Sequence, residues 1–112
     1  MNYLVQMKLA SQSRPSSPQD GIAFIEGYIF PSLEVLKKLQ AEKKILAGGP
    51  MSGTIEIALI VQAQSAPELD ELLMSLPLWP LMETVVTPLT TFDGRIATLR
   101  PGVDRLRASV KK

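Results

Sequence analysis

A chain of 112 residues with no histidine and no cysteine has few routes to catalysis. A Ser-His-Asp triad, an imidazole base, a thiol nucleophile, thiolate or imidazole metal ligation and a disulfide framework are all excluded. Carboxylates and amines remain, and two stand out by position. Glu56 lies within "TIEIALIVQA", residues 54–63, and Lys8 within "NYLVQMKL", residues 2–9. A partly buried carboxylate can act as a base near neutral pH, and an ammonium group beside the reacting carbon can stabilise a developing enolate. The competing reading is a structural cross-strand contact, which is what most such pairs are.

Two further groups could line a ligand pocket. Gly48 and Gly49, followed by Pro50, could turn backbone N–H groups toward an anion, although the segment lacks the lysine and spacing of a phosphate-binding loop and reads more readily as a plain turn between strands. Tyr28 and Trp79 could clasp a flat apolar ligand, or belong to the core or a subunit contact, where aromatic residues are enriched. No cofactor and no metal are expected.

These residues need elements to position them. Alternation in residues 2–9 predicts a strand with Tyr3, Val5, Met7 and Leu9 on one face. Ser17, Pro18 and Asp20 fit the N-cap, first and third positions of a helix. From there Ile22, Ile25, Ile29, Leu33, Leu36 and Leu39 form one apolar stripe reaching about Lys43. Pro31 interrupts that stripe and predicts a kink or two abutting helices. "ILAGGPMSG", residues 45–53, reads as a short strand ending in a turn. "TIEIALIVQA" reads as a strand with Ile55, Ile57, Leu59 and Val61 on one face and Glu56, Ala58 and Ile60 on the other. Ser65 and Glu68 form a capping box before a helix that buries Leu69, Leu72, Leu73 and Leu76 and stops at Pro77. The last strand falls within residues 83–92, where Pro88 demands an edge, a bulge or a strand end.

The resulting order, βαββαβ, predicts a ferredoxin-like α+β sandwich: a four-stranded antiparallel sheet with two helices on one face. Leu4, Ala58 and Ile60 on the other face call for a partner, so a homodimer or larger homo-oligomer is expected. The domain is expected to span residues 1–93, with 94–112 as a basic C-terminal tail. Residues 95–112 hold six basic side chains against Asp104 alone, giving +5 and leaving −4 on the rest. That acidic body makes nucleic acid a poor partner. The tail could form a short helix with Val103, Leu106 and Val110 on one face, and is expected to be solvated or to clasp a neighbouring subunit. Neither a signal peptide nor a membrane-spanning run is visible, so a cytoplasmic location without membrane association is expected.

The segment "LMSLPLWPLMETVVTPL" resembles the end of the muconolactone isomerase family, in which a leucine-rich helix runs through a Leu-Pro-Leu-aromatic-Pro connection into the last strand. "KKLQAEKKI", residues 37–45, is similar to the end of that family's first helix, while "LAGGP", residues 46–50, looks more like the YCII-related branch of the same dimeric α/β-barrel group. The resemblance implies sheets packed face to face in a dimer, with a small-molecule pocket between sheet and helices. It also implies cofactor-free proton transfer on a lactone in aromatic catabolism. The apolar "FIEGYIFPSL" stands where that family has a polar first helix, so its charged site residues do not map onto named positions here. A noncatalytic ligand-binding or assembly domain that has lost the charged site is therefore the alternative.

Overall fold

Residues 1–110 are described by a computed structural model. Four strands, β1 (Asn2–Leu9), β2 (Ile45–Pro50), β3 (Glu56–Gln62) and β4 (Met82–Leu89), form one antiparallel sheet in the order β2-β3-β1-β4. Alternation decides which face each side chain takes. Tyr3, Val5, Met7 and Leu9 from β1 and Ile57, Leu59 and Val61 from β3 are buried toward the helices. Pro88 lies on β4 and Pro50 on β2, the two edge strands, where a missing N–H costs no ladder bond.

The helical layer begins at α1 (Pro18–Phe24), where the Ser17 hydroxyl accepts from the Asp20 N–H at 3.1 Å. One wide π-helical turn, Ile25–Ile29, joins it to α2 (Phe30–Ala41). The Phe30 N–H reaches back five residues to the Ile25 carbonyl. This turn is the fold's answer to Pro31, whose ring would crowd the Gly27 carbonyl in a regular helix. It also corrects the apolar stripe. An extra residue in the turn rotates everything upstream by about 100°, so Phe24 is buried while Ile22 and Ile25 are 58% and 42% exposed. Downstream the stripe holds: Leu36 is buried, and Ile29, Leu33 and Leu39 pack against the core. The helix ends at Ala41, two residues short of the expected Lys43, which instead takes a left-handed φ of 63°.

Helix α3 (Ala66–Met74) buries Leu69 and Leu73. The Ser65 hydroxyl accepts from the Glu68 N–H at 3.2 Å, and the Glu68 carboxylate accepts from the Gln64 N–H rather than that of Ser65, a capping box displaced by one residue. The connection to β4 turns through a short 3-10 segment, Trp79–Leu81, with Leu76 and Leu78 both 2% exposed. Prolines 77 and 80 thus stiffen a link whose leucines are core.

The chain does not end at β4. Helix α4 (Phe92–Val110) starts two residues before the expected tail boundary, is far longer than a short tail helix, and buries no residue. It draws the molecule out to 71 × 30 × 24 Å with a radius of gyration of 19.3 Å, against about 13 Å for a compact chain of this length.

Candidate functional site

Register, rather than sequence proximity, assembles the charged site. Lys8 on β1 lies directly opposite Glu56 on β3 and, on its other side, opposite Glu83 on β4. The three form one row across the sheet face turned away from the helices, with neighbouring Cβ atoms about 4.5–5.5 Å apart by antiparallel geometry. The ion pairs among the described residues, Glu34–Lys37 at 3.7 Å and Glu42–Lys44 at 3.9 Å, leave Lys8 uncommitted. Glu56 is half-buried, whereas Lys8 and Glu83 are exposed.

The next row on the same face, about 7 Å along the strands, is Ala58, Gln6 and Val85, and beyond it stand Ile60, Leu4 and Thr87. The charged row therefore borders a largely apolar floor with one amide, Gln6, and one hydroxyl, Thr87, in it. Glu83 and Gln6 escaped sequence reasoning because they acquire meaning only from the register. For Gln6 the signal available was that it shares the parity of Lys8 on a strand whose opposite parity is apolar; β4, with Thr84 among its inward residues, offered no such signal for Glu83.

Gly48 and Gly49 lie elsewhere. A cleft of ≈280 Å³ opens between α2 and the β2 edge, lined by Leu33, Leu36, Lys37, Ile45 and the two glycines. Gly48 has φ 109°, and a Cβ there would overlap the Ala58 carbonyl oxygen, so the glycine allows an irregular β2 to stay paired with β3. Tyr28 and Trp79 do not line this cleft. Tyr28 meets Phe24 edge-on, with ring centroids 6.1 Å apart, and both Tyr28 and Trp79 are exposed. The structure thus joins Lys8 to Glu56 and Gly48 to Gly49, but does not gather all six into one pocket. A buried hydroxyl, Thr84 Oγ1, has no protein partner on the helix-facing side of β4. No cluster of three or more metal-ligating side chains occurs among the described residues.

A four-stranded antiparallel sheet with helices on one face defines a ferredoxin-like α+β protein. Within that class the chain belongs to the muconolactone delta-isomerase family, whose sequence profile matches residues 1–94. Muconolactone isomerase itself superposes with a TM-score of 0.65 at 24% identity, covering 81% of this chain and 90% of that one, a likeness of fold. A 5-chloro-2-hydroxyhydroquinone dehydrochlorinase from Burkholderia phenoliruptrix AC1100, solved with 2,5-dihydroxybenzoquinone, superposes with a TM-score of 0.58 at 25% identity, covering 84% and 98%. No curated protein sequence matches this one. No helix among the described residues is long and apolar enough to cross a membrane.

Proposed function

We propose that this protein catalyses cofactor-free proton transfer on a small lactone or related oxygenated ring of aromatic catabolism, with Glu56 as the base and Lys8 as the electrostatic partner. The observation that carries the reading is the direct cross-strand placement of Lys8 beside Glu56, at the border of a largely apolar floor. Family membership and the dihydroxybenzoquinone held by the dehydrochlorinase support a small flat substrate.

A ring resting on Ala58 and Val85 would present its carbonyl toward Lys8. The Glu56 carboxylate removes a proton from the carbon next to the carbonyl, electron density moves onto the carbonyl oxygen, and the Lys8 ammonium stabilises that oxyanion. Return of the proton to a different carbon completes an isomerisation with no net oxidation. A second copy packed on the open face would cover the floor and exclude water.

The test is an isomerisation assay with the purified protein on a panel of lactones, followed by absorbance as the double bond moves. Turnover supports the reading; no turnover across the panel removes it. A second reading, a noncatalytic assembly domain, draws on the exposed apolar Ile22 and Phe30, 58% and 57% exposed in the helical layer. That reading is favoured if the panel is inert while the oligomer persists.

A further inference from the structure

The family match ends at residue 94, yet α4 runs on to Val110, and its apolar residues follow a strict pattern. Phe92, Ile96, Leu99, Val103, Leu106 and Val110 are spaced by four, three, four, three and four residues, the seven-residue repeat of a coiled-coil seam. All six are exposed, from 46% at Val103 to 94% at Phe92, and α4 has no buried residue. Within the repeat Ile96, Val103 and Val110 take the first apolar position and Phe92, Leu99 and Leu106 the second. β-branched residues at the first and leucine at the second are the combination that favours two strands. Pro101, which removes one helical hydrogen bond, falls on the face away from the seam, where it interferes least.

We infer that α4 pairs with α4 of a second copy of this chain as an antiparallel two-helix coiled coil. Charge selects the orientation. The residues flanking the seam are Asp93, Arg100 and Arg107 on one side and Arg95, Gly102 and Ser109 on the other. Parallel helices would set Arg95 against Arg100 of the other copy twice and give Asp93 no basic partner. Antiparallel helices set Asp93 against Arg107 twice, at the cost of one contact between the two copies of Arg100. The same antiparallel register matches every apolar residue: Phe92 with Val110, Ile96 with Leu106 and Leu99 with Val103, each pair occurring twice.

Bulk points the same way. The molecule is 30 × 24 Å across its narrower dimensions, whereas paired helices lie only about 8–10 Å apart. Parallel pairing would crowd two bodies at one end, while antiparallel pairing holds them apart by the helix length, about 28 Å. A helix of under three repeats is marginal alone, so the pairing is expected to rely on dimers formed through the open sheet face: two dimers meet through two α4 pairs, and once one pair forms the second closes at high effective concentration. The α4 contact is then a second two-fold interface that joins dimers.

Sedimentation equilibrium of the full chain is the first test. Leu99→Glu with Val103→Glu should reduce the assembled mass by a factor of about two while circular dichroism of the sheet and melting temperature stay as in the wild type. An unchanged mass overturns the proposal. Truncation after Gly94 provides a version with no helix left to misfold, and should give the same smaller species. Because the chain has no cysteine, introduced thiols report orientation cleanly. The double variant Ile96→Cys with Leu106→Cys should form a covalent dimer under mild oxidation, and Ile96→Cys alone should not. A covalent dimer from Ile96→Cys alone indicates parallel helices and overturns the stated arrangement, as does the absence of one from the double variant. A basic amphipathic helix can also lie on an anionic membrane. Flotation of the full chain with phosphatidylserine vesicles, lost in the Leu99→Glu/Val103→Glu variant and accompanied by a wild-type mass unaffected by those changes, would assign the seam to lipid instead.

Discussion

The Ser32 hydroxyl, fully buried in α2, accepts a hydrogen bond at 3.0 Å from the Leu78 N–H, 46 residues away in the connection that precedes β4. This bond ties the first helical segment to the proline-bracketed link and satisfies a backbone donor that has no water to turn to. Ser32→Ala is expected to destabilise the fold by about 1–3 kcal/mol, the cost of leaving a buried N–H unpaired. Urea unfolding checks this; a change under about 0.5 kcal/mol, the range of an ordinary surface substitution, would show that water replaces the hydroxyl.

The two adjacent glycines of β2 should behave differently. Gly48→Ala is expected to cost more than about 1 kcal/mol, because its φ is positive and the added Cβ meets backbone. Gly49→Ala has open space at that position, and its stability should stay within about 1 kcal/mol of wild type, the range of glycine substitutions in ordinary backbone. Melting temperatures of the two variants, measured together, decide the comparison.

For the proposed chemistry, Glu56→Gln should lower kcat by roughly a hundredfold or more, the scale for a positioned general base. Lys8→Met should lower it as well. Glu83→Gln should change kcat no more than a fewfold, since Glu83 is exposed and carries no step of the proposed proton transfer. Steady-state kinetics on the lactone that responds best provide the measurement, with melting temperature and oligomer size as controls. Wild-type turnover in Glu56→Gln would remove Glu56 as the base.

Self-association through the open sheet face predicts that Ile60→Lys produces monomers at micromolar concentration. A charge set among Leu4, Ala58 and Thr87 would be desolvated by any partner packed there. Sedimentation velocity reads the outcome, and a wild-type profile would mean that the face is open to solvent in the assembly.

Much of this architecture is legible in the sequence because each element is locally consistent: alternating apolar residues in β1 and β3, and hydroxyl caps at Ser17 and Ser65. The π-helical turn was not, since Pro31 announces an interruption without saying which way the helix will absorb it, and the buried face shifted from Ile22 and Ile25 to Phe24. Lys8 and Glu56 were found as members of one face, but their direct pairing, and Glu83 beside them, depend on a register that only the assembled sheet defines. Three residues of the α4 seam, Val103, Leu106 and Val110, were visible in the basic tail. Phe92 was not, because "LTTFDG" reads as the end of a strand, and without it Ile96 and Leu99 alone do not declare a repeat.

Proline on both outer strands bears on how this molecule behaves when concentrated. An exposed strand edge is a template for adding another strand, and repeated addition leads to fibres. Pro50 on β2 and Pro88 on β4 each remove a donor and fix a dihedral on the two borders where such growth would start. Open-ended growth is thus resisted at both borders, and a chain that leaves so much apolar surface uncovered is steered toward assemblies of finite size.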